Sequence, residues 1–405
     1  MKNAYSAKLQ ERVFQTSGTI FTHYGQVVLG WIVSGATISK KRQTNWDLLR
    51  SLSMFMVVVV HTAAYLPQIS ESFALPRAVS EAAIICNPVF FMLSGYFALT
   101  PLKCSLKEYY LKKVSSIVIP ILLYSVILYV FTSWGSLGLG GYVSFAALIF
   151  FGWWWFIPAL IPCLLLSPFL HQAFEGLDDR WIVRLSVILA VIYVWGALYH
   201  VLDYVAVAIE RPGLSNLLTM ATACVPTVLV SSYFPVFCFG YLYRRLTRIL
   251  DPSKKKLISV FSLLAIAATF VFAGLGVGRD DPNQLWVIAA FGLFFLFERV
   301  RIPEGAASRI VVWAAKRSYS VYLFQGTTIA IIADLVYTQM VFGDVALLPL
   351  PVVFAIWMLF VLLSYLLALL IASVLDPLIL EKIQKLFNSL VVRRSKNIAA
   401  RDIGK

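Results

Sequence analysis

Charge is what this sequence has least of. Of its 405 residues, 13% are charged and 60% are hydrophobic. Soluble domains carry about twice that charge. A soluble core of this size could not hide so much apolar surface, which excludes an ordinary soluble enzyme. Histidine is also scarce, with only His23, His61, His171 and His200. The five cysteines, Cys86, Cys104, Cys163, Cys224 and Cys238, form no CxxC pair, and four lie inside apolar stretches. They read as small buried hydrophobes, so neither a disulfide framework nor a metal site has material to build from. No internal repeat or low-complexity segment is visible.

What is present is a series of apolar stretches of about 20 residues, separated by short basic loops. They predict an all-α polytopic integral membrane helical bundle of about ten transmembrane helices. The spans run roughly over 48–67, 79–99, 114–134, 153–171, 181–199, 220–242, 257–278, 284–299, 319–341 and 351–375. Pro120, Pro158, Pro162, Pro226 and Pro235 fall inside them, where membrane helices tolerate proline.

The formal net charge of +14 does not point to nucleic acid. Lysine and arginine sit in the short loops, as the positive-inside rule requires. With the N-terminus in the cytoplasm, the inside segments hold Lys40, Lys41, Arg42, Lys103, Lys107, Lys112, Lys113, Arg244, Arg245 and Arg248, among others. The outside loops hold Arg77, Arg211 and Arg279. Both termini are therefore expected in the cytoplasm. Residues 1–45 form an N-terminal extension, 46–376 the transmembrane domain and 377–405 a basic cytoplasmic tail. Within the extension, residues 18–38 are apolar yet carry His23 and Gln26. They read as an interfacial helix or a poorly ordered extension, with a signal peptide or an extra span as the alternative.

The stretch RSLSMFMVVVVH (50–61) opens with Arg50 and closes with His61. Eleven helical steps make about three full turns, so both side chains share one face, about 16 Å apart along the axis. Met54, Val57 and Val58 fill the stripe between them, Tyr65 continues it, and Asp47 can steady Arg50 from one turn below. Arg50 alone is equally well read as snorkelling to lipid headgroups. A histidine deep in a span faces a cavity or pathway more often than not. Together, in phase, they suggest an arginine binding phosphate at the cytoplasmic side and a histidine moving protons deeper in the membrane.

Other polar positions are read against blander roles. Ser94-Gly95 in NPVFFMLSGYFAL suits close helix packing through small residues. The tryptophans of WWWFIPALIPCLLLSP, Trp155 among them, suit the membrane interface or a sugar-stacking platform. Glu81 and Asp334 read as partners or cavity lining, with Glu81 near the level of His61.

These motifs, in this order, resemble acyltransferase family 3, integral membrane acyltransferases of bacterial surface polysaccharides. DLLRSLSMFMVVVVH (47–61) is similar to the family's D-x-L-R followed, after ten intervening residues, by H. FFMLSGY (90–96), WFIPALIPCLLLSP (155–168) and SYSVYLFQ (318–325) are similar to its later motifs. The enterobacterial common antigen O-acetyltransferase branch is the nearest look-alike. The resemblance implies transfer of an acyl group, most often acetyl from acetyl-CoA, to a hydroxyl of a glycan or lipid-linked sugar, at a bacterial inner membrane. Acetyl-CoA would be a substrate, with no permanently bound cofactor and no metal. His61 and Arg50 would be the catalytic pair. Arg50, Lys112, Lys113, Ser94, Trp155, Tyr322 and Gln325 would bind substrate, and Asp47 and Glu81 would support them. There are two departures. Gln325 stands where many members have histidine, and Ser116 where a second arginine is expected. A glycan or polar-lipid transporter, or an accessory subunit of polysaccharide export, remains the competing class.

Overall fold

The computed structural model describes residues 43–66, 73–223, 225, 229, 232–277, 281–339 and 348–391. Among them no strand occurs. The first helices are α1 (Thr44–Thr62), α2 (Ala74–Ala83), α3 (Cys86–Ala98), α4 (Leu106–Lys113) and α5 (Ile119–Thr132). The middle ones are α6 (Leu139–Leu148), α7 (Phe156–Glu175), α8 (Asp179–Ala208), α9 (Pro212–Ala223) and α10 (Tyr233–Ile249). The last are α11 (Pro252–Leu275), α12 (Gln284–Phe297), α13 (Ala306–Gln339) and α14 (Leu350–Leu375).

The helices begin where local chemistry dictates. Ser105 accepts from the Glu108 amide at 3.2 Å, so α4 opens on the Ser-x-x-Glu pattern of a capping box. Asp178 and Asn283 cap α8 and α12 by accepting from the Trp181 and Leu285 amides. α11 opens on Pro252 and ends at Gly276, whose φ of 73° suits glycine.

The chain is a helical membrane bundle. Among the described residues, seven helical stretches are long and apolar enough to cross a membrane. The remaining expected spans take other forms. The 284–299 stretch is the 14-residue α12, short for a bilayer, and 319–341 lies largely within the 34-residue α13. The 220–242 stretch is divided between the end of α9 and the start of α10, with residues between them outside the described set. Residues 1–42, including the interfacial helix expected at 18–38, also lie outside it. The tail expected from 377 starts as helix: α14 continues through a π-helical turn, Asp376–Leu380, as far as Val391. Large apolar side chains lie on the outer surface, such as Leu139 at 82% and Phe151 at 72% exposure, as lipid-facing positions require.

Two apolar cores hold the bundle together, and α1 and α3 contribute to both. In one, Trp46 packs between Tyr96 and Phe294, with ring centroids 5.1 and 5.0 Å away. α3 crosses α10 with backbone against backbone. A Cβ on Gly95 would lie 1.7 Å from the Phe237 carbonyl oxygen, and one on Gly240 would lie 2.1 Å from that of Met92. Only glycine allows this approach.

Three π-helical turns occur among the described residues: Val114–Val118, Ile149–Trp153 and Asp376–Leu380. Such turns loosen the regular ladder and recur at functional sites. Side chains take up carbonyls in two of them. Gln384 donates to Ser115 at 2.8 Å, Tyr319 to Ile117 at 3.2 Å and Tyr322 to Trp153 at 3.5 Å.

Candidate active site

A cavity of about 500 Å³ runs between the two cores. Arg50, Met54, Val57 and His61 all line it, so one stripe of α1 supplies the charged residue, the imidazole and the apolar surface between them. The helix is unbroken from Thr44 to Thr62, which keeps the axial separation at about 16 Å. Val58, expected on this stripe, is fully buried in the core. Tyr65 packs edge-on against Phe360, centroids 6.1 Å apart.

The guanidinium of Arg50 lies over the Phe97 ring, 5.5 Å from its centroid. That contact fixes the level of the Arg50 end relative to α3. Ser116, from the first π turn, and Lys316, from α13, also line the cavity. Tyr319 is bonded to the carbonyl beside Ser116, and Lys316 stands one helical turn before Tyr319. Arg50, Ser116 and Lys316 are therefore drawn from three separate elements to one cavity.

His61 is half-buried and has no hydrogen-bond partner among the described residues. Cys86, Asn87, Trp155, Tyr322 and Asp281 line the cavity with it. Asn87 donates to Asp281 Oδ2 at 2.7 Å, and the Tyr233 hydroxyl donates to Asp281 Oδ1.

Of the residues expected at the site, Arg50, His61, Ser94, Trp155 and Tyr322 line this cavity. Ser94 and Gly95 divide two jobs, because neighbours on a helix point about 100° apart: Ser94 faces the cavity while Gly95 meets α10. The other expected residues stand elsewhere. Lys112 is exposed and paired with Glu108 at 2.8 Å, and the Lys113 ammonium lies over the Tyr109 ring. Asp47 is buried in the first turn of α1. The Glu81 carbonyl accepts from Trp286 Nε1 at 2.8 Å, toward α12. Gln325 is buried at 4% exposure, and its Oε1 has no hydrogen-bond partner among the described residues. Lys316, Asn87 and Asp281 were not singled out as site residues from sequence. Lys316 opens the KRSYSVYLFQ stretch, which was at least a visible signal. Nothing local distinguishes Asn87 or Asp281.

Among the described residues no group of three or more His, Cys, Asp or Glu could hold a metal ion. The cavity thus offers cations, an imidazole, and a carboxylate–amide pair in a largely apolar space, an arrangement suited to group transfer between two substrates.

A long helical membrane bundle around such a cavity defines a multi-pass membrane protein with a largely apolar cavity that carries a few polar groups. The chain matches the family described as Acyltransferase domain (Acyl_transf_3) over residues 43–381. It belongs to this family, acyltransferase family 3, and is a membrane acyltransferase. No curated protein and no solved structure matches the chain.

Proposed function

We propose that the protein transfers an acetyl group from acetyl-CoA to a hydroxyl of a cell-surface polysaccharide or lipid-linked sugar, from a bacterial inner membrane. The observation that carries this reading is that Arg50 and His61 line one cavity from one face of α1.

Arg50 and Lys316 hold the CoA phosphates, Arg50 through its planar fork and Lys316 as a point charge. Ser116 adds a hydroxyl beside them. Lys316 supplies from α13 the second positive charge that position 116 lacks. The extended pantetheine arm then lies along Met54 and Val57 and carries the thioester toward His61.

At the far end His61 acts as general base. An imidazole without a competing partner among the described residues is free to accept the acceptor's hydroxyl proton. The oxygen attacks the thioester carbonyl, the C–O bond forms and the C–S bond breaks. The imidazolium returns its proton to the departing thiolate, releasing free CoA and the ester. No permanently bound cofactor takes part.

The test is single-turnover transfer from acetyl-CoA in proteoliposomes, with surface glycans or lipid-linked sugars as acceptors. Acetyl ester formation that requires His61 supports the reading. A protein that moves a glycan across the bilayer with no thioester consumption favours the transporter class instead.

A further inference from the structure

We propose that Asn87 and Asp281 form the acceptor subsite of this cavity, gripping two neighbouring hydroxyls of a sugar ring, a placement that rests on the hydroxyl-acylating activity proposed above. Both residues line the cavity. Their level follows from the helix geometry. Phe97 lies against Arg50. Asn87 stands ten residues earlier on the same helix, about 15 Å away along its axis. His61 is about 16 Å from Arg50 along α1. The Ser80 hydroxyl contacts the Val60 carbonyl at 3.5 Å, which confirms that the chain leading into α3 runs beside the His61 end. The amide–carboxylate pair and the imidazole therefore share one end of the cavity.

The pair is held yet unsaturated. Asp281 receives Asn87 on one oxygen and Tyr233 on the other. A carboxylate offers about four lone-pair sites, so each oxygen keeps capacity for another donor. The Asn87 carboxamide oxygen meets the Cys86 thiol at 3.5 Å, and one of its two N–H groups serves Asp281. The amide also donates toward the Tyr233 hydroxyl oxygen, while the carboxamide oxygen, met only by that long thiol contact, keeps room for another donor. Two acceptors, a carboxylate oxygen and a carboxamide oxygen, thus stand side by side, complementary to adjacent ring hydroxyls that both donate. A molecule with a single hydroxyl would satisfy half of the pair.

The aromatic setting fits the same ligand. Tyr233 stacks on Phe91, centroids 4.2 Å apart at 9°, which anchors the hydroxyl that holds Asp281. Trp155 lies 5.8 Å from Tyr233, centroid to centroid, and itself lines the cavity. An indole beside a carboxylate–amide pair offers an apolar surface to the C–H face of a sugar and polar groups to its edge.

Saturation-transfer NMR on the full-length protein in lipid nanodiscs tests this. The probes are methyl β-D-glucopyranoside and methyl β-D-galactopyranoside, which present trans and cis neighbouring hydroxyls, and cyclohexanol, which has one hydroxyl on a ring of similar size. The wild type should bind at least one glycoside in preference to cyclohexanol. Asn87→Ala and Asp281→Ala should weaken that glycoside about tenfold, as expected for losing a hydrogen bond to a charged group. Tyr233→Phe removes the hydroxyl that holds Asp281 but keeps both lining side chains, so it should weaken binding less than Asp281→Ala does. Should Asp281→Ala fail to fold, Asp281→Asn keeps the shape, loses the charge, and should also bind more weakly. Wild-type glycoside binding in folded Asn87→Ala and Asp281→Asn overturns the subsite and leaves the trio as a staple for the loop. Absence of glycoside preference in the wild type overturns it as well. His61→Gln separates the two proposals: intact glycoside binding with no acetyl transfer supports both. Transfer at the wild-type rate in that variant sinks the catalytic reading while the subsite stands on its binding data.

Discussion

Tyr319 donates its hydroxyl to the carbonyl of Ile117 at 3.2 Å, and that carbonyl belongs to a π-helical turn. Its neighbours do related work. Ser320 donates to Asp376 Oδ1 at 2.7 Å, in the π turn after α14, and Tyr322 reaches Trp153 in the turn before α7. Within four residues, α13 is bonded to all three irregular turns. The SYSVYLFQ motif thus has a structural task as well as a cavity-lining one. Tyr319→Phe removes one such tie and leaves a carbonyl unpartnered. The folded protein should lose about 1 kcal/mol of stability, read by thermal unfolding in nanodiscs. Transfer should fall as well, because Ser116 and Ile117 line the cavity from this turn. Unchanged melting and rate would show that the turn holds its shape unaided.

The α3–α10 crossing gives a sharper stability test. A Cβ at position 240 would lie 2.3 Å from the Tyr96 backbone nitrogen, so backbone and not a flexible side chain would have to move. Gly240→Ala should cost about 1–3 kcal/mol or more through overpacking, and the folded yield after detergent extraction should drop. Ser94→Ala, one residue from Gly95 but facing the cavity, should leave that yield near wild type. Equal yields for Gly240→Ala and wild type would place the helices further apart than described.

Gln325 is expected to tune the site without carrying chemistry. It is buried and absent from the cavity lining, with its carboxamide oxygen unpartnered among the described residues. An amide cannot supply acid–base chemistry near neutral pH. Gln325→Ala should leave measurable acetyl transfer. Complete loss in a folded variant would assign this position a direct role.

The α1 stripe was legible in sequence because it depends only on helical periodicity: eleven steps, one unbroken helix, one face. The bundle was legible from hydropathy for the same local reason. What joins distant elements was not. Asp281 meets Asn87 across 194 residues, and it sits in the connection leading to α12, where no periodicity marks a position. The π turn at Val114–Val118 alters the helical register after Lys113. Ser116 and Ile117 face the cavity, while Lys113 turns onto Tyr109. A regular-helix reading of KKVSSIVIP does not contain that shift.

The loop charges predict the orientation in the membrane, which is open to a direct check. Single cysteines replacing Gly140, Asp280 or Gly343 in a cysteine-free background should react with an impermeant thiol reagent in intact cells. One replacing Ser253 should not. The opposite pattern would invert the bundle and put the Arg50 end of the cavity on the wrong side for cytosolic CoA.

Arg50, Lys316 and His61 should fail in different ways. Arg50→Lys keeps the charge and loses the fork, so acetyl-CoA binding should weaken and transfer should recover as donor concentration rises. Lys316→Ala should behave alike, since it removes a point charge from the same cavity. His61→Gln keeps a hydrogen-bonding side chain of similar size but cannot take a proton at neutral pH. Losing a general base typically costs about 10²–10⁴ in rate, and no donor concentration should restore it. The wild-type rate should fall with falling pH as the imidazole becomes protonated, since imidazolium cannot accept a proton; the His61→Gln residual rate should lack that limb. Single-turnover transfer across donor concentration and pH reads all of these at once. If His61→Gln were rescued by donor and Arg50→Lys were not, the roles assigned to the two ends of the cavity would be reversed.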